Sequence, residues 1–282
     1  MRKILEKLES LDRRIIFIFI GLSIAIPLLF PVYTDFSVTA PVEGFYDAIE
    51  ELSPGSKVLV SCDYDPGSMP ELFPMNVAVF HHLFSRGHKI IVMQLWATGT
   101  LLAERAMNEV LQEFPDKRYG EDYVNLGFKE GREVVMVSMG TSIPKTFPTD
   151  AQGTKLEEIP LMQGVTNFDD ITILMNISGG LPGTKEWVLQ VQSRYGVKLG
   201  SGCTAVSAPE FYPYVQSGQL VGLLGGMKGA AEYEKLVQRP GTAQRGMDAQ
   251  SVSHIVVFLF ILIGNIAYFS VKGKKKRLKV SR

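Results

Sequence analysis

Two long stretches without a charged residue, one near each end of the chain, constrain its fold most strongly. Ile15–Tyr33 and Ile255–Val271 contain no Asp, Glu, Lys or Arg. Predominantly apolar segments of roughly 17–25 residues are long enough to cross the hydrocarbon core of a bilayer as helices. The sequence therefore predicts two transmembrane helices, at residues 15–33 and 255–271, and a single domain between them at residues 34–250.

Basic residues beside these stretches predict their orientation. Residues 272–282 hold seven Lys or Arg and no acid, and Arg13 and Arg14 directly precede the first stretch. Because basic flanks of membrane helices stay in the cytoplasm, both termini are predicted to be cytoplasmic. Residues 1–14 are expected to form an amphipathic helix at the inner membrane surface. The central domain would then be periplasmic or extracellular, anchored in the cell membrane.

A cleaved signal peptide is the alternative for the first stretch, since Val38 and Ala40 suit a cleavage site. The uncharged run is longer than the roughly 7–15 residues of a signal-peptide core, and that site lies well beyond its end. We favour an uncleaved anchor. In either case the central domain lies outside the cytoplasm.

The central domain is acidic, although the whole chain has a formal net charge of zero. Residues 33–250 hold 17 Lys or Arg against 26 Asp or Glu. Nucleic acids and anionic headgroups bind cationic surfaces, so no nucleic-acid partner is expected for this domain. Only the basic ends of the chain suit a lipid surface, and the lipid bilayer is their predicted partner.

Apolar runs rich in β-branched residues alternate with helical patterns through the central domain. Such alternation predicts a mostly parallel sheet covered by helices, in a three-layer, doubly wound α/β domain. Residues 140–154 are expected to form a long loop that acts as a lid or a docking loop. The strands are predicted at Lys57–Cys62, Lys89–Leu95, Glu133–Met139 and Asp170–Ile177, with shorter ones at Tyr123–Phe128, Val197–Gly200 and Gln219–Leu224.

Small and polar residues follow several of these strands. Ligands of open α/β sheets bind beyond the carboxyl ends of the strands, which predicts a binding crevice there. The alternative is ordinary turns, which use the same residue types. The glycines of residues 178–183 match neither the dinucleotide nor the P-loop spacing, so no cofactor is identified. The predicted crevice residues are Asp63, Asp65, Ser138, Thr141, Asn176, Ser178, Gly179, Gly180, Ser201 and Thr204.

Asp63-Tyr64-Asp65 follows an apolar strand run, and paired carboxylates there can act as nucleophile and acid or hold a cation. This arrangement resembles the first motif of the haloacid-dehalogenase-type phosphatases. The resemblance implies Asp63 as the nucleophile and Asp65 as the acid or base, and Ser138 resembles the family's second motif. Pro66-Gly67 departs from the family pattern. The alternative is an Asx turn that caps the next helix.

The two cysteines, Cys62 and Cys203, are both expected outside the cytosol, where oxidising conditions allow a disulfide. Cys203 is also a candidate nucleophile, but cysteine catalysis requires a histidine base. The histidines of the domain, His81, His82 and His88, are predicted to lie on or beside a helix away from the crevice. Structural roles are favoured for all three, and no metal site is predicted.

Ser178–Glu234 resembles a family of uncharacterised prokaryotic membrane proteins with two spans. The resemblance rests on residues 202–205 (GCTA), 216–234 (QSGQLVGLLGGMKGAAEYE) and 246–250 (GMDAQ). It implies an architecture and no activity. The small residues of 222–231 favour close approach of another helix or subunit, with packing inside the domain as the alternative.

A polar residue near the centre of the second uncharged stretch predicts helix packing in the membrane. An amide at that depth favours a hydrogen-bonding partner, and small residues let helices approach closely. We expect the two spans to pack together, or against a partner, through the following residues: Gly21, Ser23, Ala25, Gly264 and Asn265.

These features favour a membrane-anchored binding or assembly module, a subunit of a larger membrane complex. Its partner would be another membrane protein or a second copy of the chain. Two alternatives stay open: an extracytoplasmic hydrolase or phosphatase using Asp63 and Asp65, and a solute-binding receptor.

Overall fold

The computed structural model describes residues 12–31 and 36–280, with side chains up to 266 and at 268 and 269. The chain divides into two units: residues 36–244, and residues 1–35 together with 245–282. The predicted amphipathic helix falls on residues 1–14, of which 1–11 lie outside the described residues. Each unit is considered in turn.

Residues 36–244 form an α/β domain around one sheet of six parallel strands, which confirms the predicted α/β domain. The strands run in the order β3-β2-β1-β4-β5-β6, so the direction of winding reverses between β1 and β4. Ligands of such sheets bind beyond the carboxyl ends at this reversal. The strands are β1 Lys57–Asp63, β2 Lys89–Gln94, β3 Tyr123–Phe128, β4 Ile173–Ser178, β5 Lys198–Cys203 and β6 Gly222–Gly225.

Helices cover both faces of this sheet. The helices of the domain are α2 Ala40–Glu50, α3 Met69–Ser85, α4 Gly99–Leu111, α5 Glu133–Thr141, α6 Ile143–Thr146, α7 Thr184–Trp187, α8 Ser193–Tyr195, α9 Ala208–Gln216 and α10 Gly226–Leu236, with a π-helical turn at Val188–Gln192 and 3-10 turns at Leu156–Glu158, Pro160–Met162 and Phe168–Asp170. Leu59 of β1 packs in one apolar cluster with Met136 of α5 and Trp187 of α7. On the opposite face, α3 packs against α4 and α10.

The strand predicted at Glu133–Met139 is wrong, because these residues form the helix α5. Its buried residues are Val135, Met136 and Met139, whereas Val134 is exposed, so the run buries one helical stripe. A short apolar run cannot be assigned to strand or helix from periodicity alone. The third strand is instead β3, at the weaker candidate Tyr123–Phe128. The loop predicted at residues 140–154 contains the short helix α6.

The small residues of 222–231 pack inside the domain. A Cβ added to Gly229 would meet the Leu224 backbone at 2.9 Å, and one added to Gly225 would meet Ala208 at the same distance. Gly226, Ala230 and the rest of the first two turns of α10 are largely buried. The structure therefore supports packing inside the domain for the small residues of this stretch.

The second unit contains α1 Arg13–Leu29 and most of α11 Thr242–Val280. Within the described residues, the segment Thr242–Ile266 of α11 is the one long and apolar enough to cross a membrane. The helix α1 has 17 residues, of which Arg13 and Arg14 precede the first uncharged stretch and the rest lie within it. Phe19 of α1 and Phe260 of α11 meet edge to face, with ring centroids 5.9 Å apart.

The residues predicted to pack the two spans make contacts within their own helices or face open space. Ser23 is buried, and its hydroxyl donates to the carbonyl oxygen of Ile20 at 2.8 Å. Gly21 and Gly264 face open space, and Ala25 is exposed. The Asn265 amide donates to the carbonyl oxygen of Ile261 in its own helix, at 2.9 Å. The role of Asn265 toward a membrane partner stays a prediction.

Candidate functional site

Two clefts open at the carboxyl edge of the sheet, on either side of the loop that follows β4. The first, of about 430 Å³, lies among the ends of β2, β3 and β4 and is called the β2–β4 cleft. The second, of about 270 Å³, lies among the ends of β4 and β5 and is called the β4–β5 cleft. Leu181 lines both. Clefts thus lie at the edge where a crevice was predicted, separated by the loop at residues 179–183, and ligand binding there stays a prediction.

Asp63 ends β1 beneath this loop and is completely buried. Its Oδ1 accepts hydrogen bonds from the backbone N–H groups of Leu95 and Trp96, and its Oδ2 accepts one from the Ser61 hydroxyl. Burial raises the pKa of Asp63 to about 7, opposed by these hydrogen bonds and by the nearby indole of Trp187. The indole nitrogen itself does not reach hydrogen-bonding geometry. Asp63 therefore connects β1 to the end of β2.

Asp65 caps the start of α3, which was the alternative to a catalytic role. Its Oδ1 accepts from the Ser68 N–H at 3.0 Å and from the Ser68 hydroxyl at 2.9 Å, one residue before α3 begins at Met69. The backbone N–H of Ser68, followed by its hydroxyl, lowers the pKa of Asp65. The carboxylate is thus held as an acceptor at the start of a helix.

Ser138 and Thr141 do not lie at the end of a strand, because α5 replaces the strand that placed them at the crevice. Ser138 is exposed, and its hydroxyl donates to the carbonyl oxygen of Val134 at 2.7 Å. Of the three residues implied by the phosphatase resemblance, Asp63 is buried, Asp65 caps a helix, and Ser138 is bonded within α5. Their arrangement offers no exposed nucleophile with an adjacent base.

A buried network joins several predicted crevice residues beneath the β4–β5 cleft. The Ser178 hydroxyl donates to Asn176 Oδ1 at 2.9 Å, and the Ser201 hydroxyl lies 2.7 Å from that of Thr184. Ser201 also lies 3.4 Å from Asn176 Oδ1. Asn176 Nδ2 has no partner within the described part of the chain, although it is buried. Thr184 was not among the predicted crevice residues.

The remaining predicted residues shape the loops. The Gly179 N–H donates to the carbonyl oxygen of Asp63 at 2.9 Å, and a Cβ there would lie 2.6 Å from the Ser68 hydroxyl. A Cβ on Gly180 would press on the Trp96 ring at 3.2 Å. Thr204 bonds Ser207 at 3.1 Å just before α9. The close approach of neighbouring groups explains both glycines.

Cys62 and Cys203 do not form the disulfide that the sequence left possible, because both thiols are free and buried. Cys62 pairs with Ile177 of β4, while Cys203 pairs with Ser178, so the cysteines lie two strands apart. Strands are spaced roughly 4.8 Å apart, which separates the two Cα atoms by about 9–10 Å. A disulfide requires less than about 7 Å. Burial raises the pKa of the Cys203 thiol to about 12, so it is no thiolate nucleophile at neutral pH.

The histidine with the clearest environment, His82, lies near the carboxyl end of α3, away from both clefts. Its Nδ1 and Nε2 lie 2.6 Å from the Tyr233 hydroxyl and from Glu50 Oε1, respectively. Burial lowers the pKa of His82 to about 4, so the ring is neutral at pH 7. A neutral ring donates to Glu50 and accepts from Tyr233, which satisfies both nitrogens. Across the described residues, no three His, Cys, Asp or Glu side chains form a metal-binding group.

Several large apolar residues are exposed at or after the ends of strands, and this exposure was not predicted from the sequence. Val206, Leu101 and Val134 are 90%, 75% and 72% exposed, each in the segment that follows a strand. Leu181 and Phe128 are also exposed and line the β2–β4 cleft. We call these five residues the apolar rim. The other large apolar residues exposed in the described part of this domain are Leu189 and Tyr212.

Comparison with known proteins gives no relative for this chain. No protein-family model matches it. No curated protein and no solved structure matches it either. The site is therefore interpreted from its own geometry, and the sequence resemblances described above stay predictions.

Proposed function

We propose that this protein is a membrane-anchored binding module that docks a protein partner on the carboxyl edge of its α/β sheet. In this proposal it is a subunit of a larger membrane complex. The observation that carries the proposal is the apolar rim: five large apolar residues are exposed at or after the ends of β2, β3, β4 and β5, and two of them, Phe128 and Leu181, line the β2–β4 cleft. Exposed apolar patches of this kind mark interaction sites.

The energetics favour a partner over permanent exposure of the rim. Full burial of one Val, Leu or Phe side chain contributes about 1.5–3 kcal/mol. Five such side chains can offset a substantial part of the roughly 4–15 kcal/mol that association costs in lost freedom. The two clefts add concave surface beside the rim. Hot-spot residues of interfaces commonly fill such pockets.

In this proposal the second unit anchors the protein in the membrane. We infer that α1 and α11 cross the membrane together, since both expose long apolar surfaces and contact each other through Phe19 and Phe260. The basic residues outside these helices favour cytoplasmic termini. The domain then faces the periplasm or the exterior, where the rim meets its partner.

A hydrolytic function has weaker support. The Asp63 carboxyl is fully buried with both oxygens bonded, and Asp65 caps α3. A solute-binding receptor is the second candidate, favoured by the size of the β2–β4 cleft, about 430 Å³. Small-molecule pockets measure roughly 300–1,000 Å³. The exposed rim around that cleft favours a protein partner instead.

The test is co-purification from membranes in mild detergent. It compares the full-length wild-type protein with a full-length variant that lacks two side chains of the rim. The double variant Leu181→Ser with Val206→Ser removes two exposed side chains of the rim. Leu189→Ser is the matched control, an exposed leucine outside the rim. We expect the rim variant to lose a partner that wild type and control retain. Equal recovery by all three proteins would contradict the proposal.

A further inference from the structure

The β2–β4 cleft has apolar and aromatic walls with one unpaired cation at its edge. Trp96, Phe128, Leu181 and Pro182 supply the apolar lining. The indole Nε1 of Trp96 is a buried donor with no partner in the described part of the protein. Because that nitrogen is buried, the Trp96 ring contributes apolar surface to the lining.

Arg132 is the cation of this cleft. Its side chain is exposed and forms no ion pair or hydrogen bond with the described residues, whereas its backbone carbonyl accepts from the N–H groups of Val135 and Met136. Glu130 is the other charged residue of the lining, and it too lacks such a contact. Glu130 and Arg132 do not pair with each other. Each is therefore free to bind a charged group of a ligand.

The backbone of Arg132 is held in a costly conformation. Its φ is 49° and its ψ is −120°, directly before α5 begins at Glu133. A positive φ is uncommon for a residue with a side chain, and such strain tends to occur at functional sites. Gly131, also at positive φ, precedes it. The turn therefore keeps an arginine at the cleft where glycine would be favoured.

We propose that the β2–β4 cleft binds an apolar segment of the protein partner that bears one carboxylate, and that Arg132 binds this carboxylate. The inference rests on the proposed docking function and specifies the chemistry of the partner. The guanidinium fork of arginine matches a carboxylate in geometry and charge. A doubly charged phosphate would face Glu130 with only one cation to compensate it. Phe128 and Leu181, which belong to the apolar rim, contact the apolar part of the segment.

The experiment uses the full-length protein in detergent and short peptides rich in Leu, Ile and Phe. Peptides are made in pairs that differ by one carboxylate, either Glu against Gln or a free C-terminus against its amide. We expect the carboxylate member of the best pair to bind at least ten-fold more tightly. Arg132→Gln removes this difference, and Glu130→Gln increases the affinity several-fold. Arg194→Gln, at an exposed arginine outside the clefts, leaves binding unchanged.

Three results would overturn the inference: equal binding within every pair, no binding by any peptide, or octanoate binding as tightly as the best peptide. The last result would assign the cleft to a small apolar acid. None of them bears on Val206→Ser alone, which lies outside the cleft lining and whose loss of partner tests the docking function separately. If Val206→Ser keeps its partner while the peptide pairs differ, the docking function fails, and the inference fails with it as a statement about the partner, although the cleft still binds carboxylate peptides.

Discussion

Glu232 and Glu234, two residues apart on α10, hold the two chain segments that lead into and out of the α/β domain. The Glu232 carboxylate accepts from the N–H of Thr39 at 2.9 Å and from its hydroxyl at 2.6 Å, just before α2. The Glu234 carboxylate accepts from three backbone N–H groups at the start of α11: Gly241 at 3.0 Å, Ala243 at 3.1 Å and Gln244 at 2.9 Å. Both side chains are nearly completely buried.

Neighbouring residues of α10 reinforce this arrangement. Lys228 pairs with Glu232, and the Lys235 ammonium donates to the carbonyl oxygen of Phe36 at 2.8 Å. Between the two acids, Tyr233 bonds His82 of α3. The end of α10 therefore holds two segments of the chain, the one before α2 and the one that begins α11. Both are held by hydrogen bonds to buried carboxyl groups.

Substituting Glu234 tests how much this attachment contributes to stability. Glu234→Ala leaves three N–H groups at the start of α11 without their acceptor, and the loss is expected to cost about 2–4 kcal/mol. The measurement is thermal or urea unfolding of the full-length protein in detergent. Glu51→Ala, at an exposed residue next to α2, is the control and should change stability by less than about 0.5 kcal/mol. Equal effects of the two variants would contradict the structural role of Glu234.

The buried Asp63 predicts an unusual pH dependence. Its pKa rises from 3.8 in the unfolded chain to about 7 in the folded protein, chiefly through burial. The folded state then binds the proton more tightly, so this stabilisation is complete below pH 4 and is lost as the pH rises through 7. Its full size is of order 4 kcal/mol, at about 1.4 kcal/mol per pKa unit.

Asp63→Asn separates this contribution from the other titrating groups. The variant lacks the titration, so its stability relative to wild type should increase steadily between pH 4 and pH 7. Melting temperatures of both proteins across this range provide the measurement. A difference in melting temperature that does not change with pH would show that Asp63 titrates near its ordinary pKa.

The strained turn at Arg132 predicts a gain of stability at the expense of binding. Arg132→Gly relieves a positive φ that costs about 1–3 kcal/mol, less the 0.5–1 kcal/mol or so that glycine loses in chain entropy. We expect a higher melting temperature together with loss of carboxylate-peptide binding. Arg132→Ala is the matched control, because it removes the guanidinium but keeps the strain. An Arg132→Gly protein no more stable than Arg132→Ala would refute the strain argument.

The strands β1, β2 and β4 were predictable because each is a continuous apolar run bounded by turn residues, as expected for strands buried on both faces. Glu133–Met139 has a similar apolar composition. Only the packing of the folded domain shows that Val134 is exposed while Val135 and Met136 are buried, and this pattern of burial is that of a helix.

The site was predictable only where a general rule applies. The crevice at the carboxyl edge, and the meeting of Asn176, Ser178 and Ser201, follow from parallel strands in register. The apolar rim was not predictable, since exposure of leucine or valine depends on the neighbours that the fold supplies. The burial of Glu232 and Glu234 was equally hidden, because glutamate is rarely buried and the end of α10 reads as a solvated face.

The most direct test of the docking function is site-specific photo-crosslinking of the full-length protein in its native membrane. A photoreactive residue is placed at Val206 or Leu181 in the rim, and at Glu51 or Leu189 as exposed controls. The account predicts one discrete crosslinked partner from both rim positions and none from the controls. Equal crosslinking from rim and control positions, or none from the rim, would contradict it.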